Sequence, residues 1–499
     1  MKILLELRPA LDGHAGIPQE ARLLFRGLRM LAGMDVEGLI QSSGRVLAPG
    51  LPATSSPTAG GLSVDRQINR LSRVVVSLQH NSKPKLSDTL GSTLALAVAP
   101  TGMLLRHLLG RDQDLGRFDP SHFKDFIWRA LFARTLPFED FDAVTQAQFR
   151  IARVPWTAMH TVALLTHKLG RALYPRLDTR DFDVMIAETP YPGRVSRRTQ
   201  LVVRYHDAIP VLMPHTISDK SYHQASHYQA LRRNVADGAR FACVSDATRR
   251  DLVAMFPQVE DRSVTIHNMV SHHYFPEQSS PLRVPEIIRT RVHSGVRVRT
   301  DIHQRLGNLA DVGGSHAPME YLLMVSTIEP RKNHLTLLAA WEQLRTERFP
   351  RLKLIFVGML GWDHRPIVTR LRPWLERGEL YMLEDVPASE LRLLYRHARA
   401  TVCPSFGEGF DFSGVEAMRC GGAVAASDIT VHHDVYANAA EYFSPYSAQQ
   451  AAAAIGRLID PGLPARRAEL VESGADVSQR YLPERVLPLW QDFLQGLPA

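Results

Sequence analysis

From residue 321 onward, short apolar runs recur with helical stretches between them. Strands are read at Tyr321–Ser326, Leu352–Val357, Leu380–Leu383, Ala400–Cys403 and Ala423–Ala426. Helices fall between them at Asn333–Arg345, Pro366–Glu376, Pro387–Arg396 and Gly414–Arg419. The runs are continuous rather than alternating, the pattern of strands buried on both faces. Parallel strands need crossovers, and helices here supply them. The constraint is strong: a doubly wound α/β domain over residues 319–475, with any ligand at the carboxyl edge of its sheet.

The first half repeats the theme less regularly. A strand at Ile3–Leu7 leads through Asp12-Gly13-His14-Ala15-Gly16-Ile17-Pro18 into a helix, Gln19–Leu31, with Ala21, Leu24, Phe25 and Leu28 on one face. Further strands are expected at Val184–Ala187, Leu201–Tyr205, Phe241–Val244 and Ser263–His267, with a helix at Asp246–Met255. Residues 42–62, rich in Ser, Pro, Gly and Ala, read as a loose connection. Residues 64–176 read as a helical insertion or cap, with helices at Lys124–Thr135 and Arg153–Leu173. The expected domains are 1–275 and 319–475. Between them lies a basic linker, 276–318, carrying Arg283, Arg289, Arg291, Arg297, Arg299 and Arg305. A terminal helix at Pro483–Leu497, within 476–499, is expected to pack back on the first domain.

The chain has 499 residues, 59 Lys and Arg against 51 Asp and Glu, and a net charge of +8. That surplus suits phosphate-bearing ligands or an anionic surface without choosing between them. The three cysteines, Cys243, Cys403 and Cys420, are unclustered and point to a reducing compartment. The N-terminal apolar stretch carries Glu6 and is followed by Arg8 and Pro9, so it reads as a first strand rather than a signal peptide. Pro100 and Arg106 interrupt the most apolar later run, Leu94–Leu109, and no membrane span is expected.

Two strings carry chemistry. Glu329-Pro330-Arg331-Lys332-Asn333 closes one strand and opens a helix, placing two cations where backbone N–H groups already favour an anion such as a diphosphate. Pro404 through Met418 follows another strand and holds Glu408 and Glu416 around a glycine-rich turn. The glycines let backbone approach a ligand closely. Two carboxylates in such a loop can accept hydrogen bonds from sugar and ribose hydroxyls.

These strings resemble the retaining glycosyltransferases of family 4, whose fold is GT-B: two Rossmann-like domains facing a cleft. Glu408 and Glu416 match the Glu-x7-Glu motif, and Glu329 through Asn333 match the phosphate-binding strand end. Gly358, then Gly361-Trp362, is similar to the mannosyltransferase-type members. Val386 through Tyr395 and Cys420 through Ser427 fit as well. In the first half, Gly16-Ile17 resembles the glycine loop that touches donor phosphates. Tyr205-His206-Asp207-Ala208-Ile209-Pro210 resembles the motif whose histidine sits by the reacting sugar. Ser245-Asp246-Ala247-Thr248 resembles the start of the next helix. Asp411 and Ser326 stand where that family usually has glycine, and a proline common near Ser413–Gly414 is absent.

The resemblance implies a role for each residue. Arg331 and Lys332 neutralise the diphosphate, Glu408 positions the donor sugar, Glu416 binds the ribose, and His206 supports the sugar or acceptor face. Gly16, Ser326, Gly358, Gly409, Phe410 and Asp411 join the donor site, and Asp207 lies on the acceptor side. The donor implied is a nucleotide-sugar, GDP-mannose first, used with retention and with no metal or other cofactor. The implied acceptor is a glycan or lipid-linked oligosaccharide in surface-polysaccharide assembly, with no nucleic acid as partner. The expected location is cytoplasmic, with peripheral membrane contact through Arg70, Arg73, Lys83, Lys85, Arg106 and Arg111. A GT-B nucleotide-sugar epimerase, or a non-catalytic sugar- or lipid-binding GT-B module, is the alternative.

Other patterns read blandly. Asp140-Phe141-Asp142 and Asp181-Phe182-Asp183 are expected to be turns, because a metal-binding Asp-x-Asp should follow a strand and the second copy precedes one. His272-His273 and His432-His433-Asp434 lack a third partner at ligand spacing and read as loop histidines.

Overall fold

The structure is a computed structural model that describes residues 1–11, 13, 16–52, 62–79, 102–103, 109–168, 170–293 and 318–498. Two sheets organise it. The first contains β1 (Lys2–Glu6), β2 (Asp35–Gln41), β3 (Gly116–Phe118), β4 (Phe149–Ala152), β5 (Val184–Ala187), β6 (Gln200–Tyr205), β7 (Arg240–Cys243) and β8 (Ser263–Thr265). Their order is β3-β4-β2-β1-β5-β6-β7-β8, and every pairing is parallel except β3 on β4. The second contains β9 (Tyr321–Val325), β10 (Lys353–Val357), β11 (Leu380–Leu383), β12 (Ala400–Cys403), β13 (Val424–Ser427) and β14 (Ala440–Phe443). Their order is β11-β10-β9-β12-β13-β14, all parallel.

Each sheet is covered on both faces, which is why its strands read as continuous apolar runs. In the second sheet Leu323, Ile355 and Val357 face one core and Leu322, Leu354 and Phe356 the other. Strand order reverses at β9, which has β10 on one side and β12 on the other. The segments leaving β9 and β12 therefore diverge and open a crevice, the position where open α/β sheets bind ligands. Both strings singled out in the sequence leave those two strands.

The chain then returns to the first domain. The helix Pro483–Gln495 places Val486, Trp490 and Leu494 in the core beneath the first sheet. Gly27, on the helix Ile17–Arg29, makes room for it: a Cβ there would stand 2.6 Å from Leu487. The Arg204 guanidinium lies 5.2 Å from the Trp490 ring centroid.

Several sequence expectations are corrected. Residues 64–176 are not simply a helical insertion, because β3 and β4 lie within them and β4 pairs in parallel with β2. The strand is masked in sequence by Arg150, whose charge is met by Glu37 of β2 at 2.6 Å. The expected helix at Lys124–Thr135 is a short one, Lys124–Ile127, continued by a π turn, Trp128–Phe132. β2, β14 and the helices Ala448–Ile459 and Pro464–Gln479 were not anticipated. His432 and His433 lie not on a loop but on the helix Thr430–Tyr436. Residues 94–101 and 104–108, Lys83 and Lys85 fall outside the described residues, as do Arg297, Arg299 and Arg305. No helix among the described residues is long and apolar enough to cross a membrane.

Candidate active site

Glu408 is buried in the loop between β12 and the helix Phe412–Arg419. One of its oxygens accepts from Arg331 Nη1 at 2.7 Å and the other from Lys332 Nζ at 2.6 Å. Arg331 also donates to the Gly407 carbonyl at 2.7 Å and to Glu329 at 3.0 Å. Burial disfavours the Glu408 carboxylate, but Arg331 and Lys332 outweigh it and hold the group below its ordinary value. Asn333, in the left-handed region at φ 61°, ties the two loops together by donating to the carbonyls of Pro404 and Pro445 at 2.9 and 2.8 Å. The cations are thus aimed by a scaffold rather than left on a mobile surface.

Ser326 and Gly358 sit together at the strand ends. A Cβ on Gly358 would stand 2.1 Å from the Ser326 carbonyl oxygen, and its φ of 151° also favours glycine. Glu416 accepts from Tyr395 Oη and from Gln19 Nε2, both at 3.0 Å. Burial raises its pKa to about 7, with Gln19 and Tyr395 pulling the other way. Gln19 lies on the helix Ile17–Arg29 of the first domain, so this bond spans the cleft. Gly16 caps that helix at φ 72° and accepts from Glu20 N at 3.0 Å.

His206 follows β6 at the edge of the first sheet. Its Nε2 is 3.4 Å from Glu188 Oε2. Burial, reinforced by Arg204, lowers its pKa to about 4, so the ring is neutral near pH 7. Glu188 is fully buried and its pKa is raised to about 8, chiefly by burial. Asp207 accepts from Ile209 N at 3.0 Å and starts the next short helix, Ile209–Leu212. Burial raises its pKa, against the pull of Arg331.

The two halves of the site touch through Gly409. A Cβ there would stand 1.7 Å from the His206 carbonyl oxygen. Thr248 Oγ1 donates toward both carbonyls, at 3.4 Å to His206 and 3.3 Å to Gly409. Thr248 lies one turn into the helix Asp246–Met255, capped by Ser245.

The structure thus brings His206, Asp207, Arg331, Lys332, Glu408 and Gly409 together, with Gln19 and Glu416 bridging nearby. Two expected donor residues point elsewhere. Phe410 packs against Phe412 and Tyr481, with ring centroids 5.2 Å away in each case. The Asp411 carboxylate caps the following helix, accepting from Ser413 N at 3.1 Å and Ser413 Oγ at 2.7 Å, with His432 Nε2 3.4 Å away. Only their backbone groups remain for a ligand. Among the described residues, no group of three His, Cys, Asp or Glu side chains is placed to hold a metal ion.

Sequence reasoning missed Glu188 and Gln19, and read His432 as a loop histidine rather than the partner of Asp411. Glu188 carried a readable signal, being the residue directly after a buried strand at the sheet edge. Gln19 carried none, because its partner lies in the other domain.

Two doubly wound sheets meeting across a cleft define a GT-B fold. Solved structures of that architecture are similar to the chain. Sucrose-phosphate synthase from Thermosynechococcus elongatus aligns at a TM-score of 0.55 and 15% identity, covering 99% of this chain and 98% of its own. Anabaena HepE in complex with UDP aligns at 0.50 and 15%, covering 72% and 88%. Residues 312–476, about a third of the chain, match the family model of glycosyl transferases group 1. Curated relatives include the Escherichia coli O-antigen chain mannosyltransferase B, 30% identical over 275 residues, or 54% of this chain and 64% of the relative. The Escherichia coli serotype-specific mannosyltransferase WbdA is 36% identical over 124 residues, 24% of this chain and 15% of its own. The chain therefore spans less than two thirds of either relative.

Proposed function

We propose that the chain is a retaining hexosyltransferase that moves mannose from GDP-mannose onto a glycan or lipid-linked oligosaccharide in surface-polysaccharide synthesis. The observation that carries this reading is the Arg331–Lys332–Glu408 cluster at the carboxyl edge of the second sheet, with His206 across the cleft. The names of the relatives support mannose.

Negative charge grows on the diphosphate as the bond from the sugar's anomeric carbon to phosphate oxygen breaks. Arg331 and Lys332 stabilise that charge more in the transition state than in the ground state, which is where stabilisation raises turnover. A bound diphosphate takes over the two cations from Glu408, and the released carboxylate turns to the sugar hydroxyls. The acceptor oxygen bonds to the anomeric carbon on the face the phosphate leaves, and the acceptor proton passes to the departing phosphate oxygen. Neutral His206 offers a hydrogen bond beside that face without adding charge. Glu416 accepts from the ribose. In this reading the diphosphate is served by side chains, so no metal is required.

The test is nucleotide release from a panel of nucleotide-sugars, with the anomeric configuration of the product read by NMR. Release from none of them in the presence of glycan acceptors would refute the proposal, and an inverted product would refute its stereochemistry.

A further inference from the structure

Beside the cleft lies a cavity of about 230 Å³ lined by none of the proposed donor-site residues. Thr189 and Pro190, which directly follow Glu188, form one wall, and Pro210, four residues beyond His206, forms another. Trp362 reaches in from the second domain and donates Nε1 to the Thr216 carbonyl at 3.0 Å. The space is therefore completed only when the two domains face each other.

Its chemistry is specific. No Asp, Glu, Lys or Arg lines it. Four buried polar atoms on three of its side chains have no hydrogen-bond partner among the described residues: both ring nitrogens of His160, Trp156 Nε1 and His227 Nε2. Leaving such groups dry and unpaired is costly, and most buried polar atoms in folded proteins are satisfied. Burial pushes His160 down to about 3 and His227 to about 4, so both rings are neutral near pH 7. A neutral imidazole offers one donor and one acceptor, and an indole one donor. The Trp156 and His160 rings meet edge to face, with centroids 4.1 Å apart. The walls are otherwise mostly apolar.

A charged ligand meets no Asp, Glu, Lys or Arg on the walls, Arg8 lying behind Trp156 and Thr189, and a purely apolar ligand would leave the polar atoms of three side chains unpaired. A ligand with several neutral hydroxyls on a ring that also has C–H faces satisfies both demands. We propose that this cavity is the subsite for the accepting sugar: a neutral hexopyranose held by Trp156, His160 and His227 and covered by Trp362. The inference rests on the transferase reading and names the chemistry of its second substrate.

The direct test uses ligand-observed saturation-transfer NMR on the full chain with methyl α-mannoside, methyl α-glucoside and N-acetylglucosamine. The expected result is a signal from at least one glycoside that is lost in Trp156→Phe and His227→Ala. Both variants are checked for unchanged melting and unchanged GDP affinity, so misfolding is separated from loss of the subsite. No signal from any probe with the unaltered protein, or an unchanged signal in both variants, overturns the proposal. The kinetic counterpart is acceptor KM, expected to rise about tenfold in each variant, the effect of one lost hydrogen bond, while release of nucleotide to water is retained. A protein that binds glycosides here but turns over no nucleotide-sugar keeps the subsite and refutes the transferase reading. Acceptor KM unchanged in both variants refutes the subsite alone.

Discussion

Gly409→Ala isolates the contact between the two halves of the site. The added Cβ would stand 1.7 Å from the His206 carbonyl oxygen and 2.7 Å from its carbon, whereas real Cβ atoms essentially never come within 3.0 Å of a neighbour. The obstacle is backbone at the end of β6, not the tip of a flexible side chain. The difference between 3.0 and 1.7 Å, about 1.3 Å, must come from the loop drawing back or the domains parting. Glu408 precedes Gly409 directly and moves with it, away from His206. Misplacing reacting groups by about 1 Å costs on the order of 10²-fold in turnover, and that is the expected fall in kcat. Each sheet keeps its own two-sided core, so the far-UV circular dichroism spectrum is expected to be unchanged. Arg331 and Lys332 remain on the second domain, so GDP affinity should change by about threefold at most. The assay is donor-saturated kcat beside calorimetric GDP binding. Turnover within threefold of the parent protein would refute the reasoning, because the domains would then tolerate the separation without loss.

The remaining predictions concern charge. Arg331→Ala and Lys332→Ala should each lower kcat on the order of 10²-fold and weaken donor Kd far less; unchanged kcat in both would exclude them from the diphosphate site. Glu416, raised to about 7, favours its neutral form when buried; its contribution to stability is full below the ordinary value of 4.5 and is lost as pH rises through about 7. The ionised carboxylate accepts from ribose hydroxyls more strongly than the neutral acid, so GDP affinity should rise between about pH 6 and about pH 8, and Glu416→Gln should flatten the profile. Excess EDTA should leave turnover intact; complete loss restored by Mg²⁺ or Mn²⁺ would show that side-chain cations are insufficient. The helix Val64–Leu78 exposes Arg66, Arg70 and Arg73, and co-sedimentation with anionic vesicles should be seen at low salt and lost at high salt; protein left in the supernatant at low salt excludes this contact.

The parts of the fold legible in sequence share a physical cause. β9 to β13 are mostly apolar on both faces, and all but β13 lead into segments with glycine or proline, so local pattern locates them. β2, β4 and β14 carry Glu37, Arg150 and Glu441 among few apolar residues, which leaves too short an apolar run to read. Each is buried beside a partner that only the fold supplies: Arg150 on Glu37 at 2.6 Å, and Arg457 and Arg466 on Glu441 at 2.7 and 2.9 Å. The site divides in the same way. Arg331, Lys332, Glu408 and Glu416 were legible because each cation or carboxylate sits in a loop whose ends are readable strands and helices. Asp411 was visible as an added charge in the donor loop, but not its use, because capping Ser413 and facing His432 depends on how the loop turns. What sequence could not show is the set of contacts made across the cleft: Gln19 to Glu416, Thr248 to Gly409 and Trp362 to Thr216. These join residues 397, 161 and 146 positions apart. No local periodicity encodes such pairs. They set how the two halves of the candidate site face each other, which the pattern within either half cannot encode.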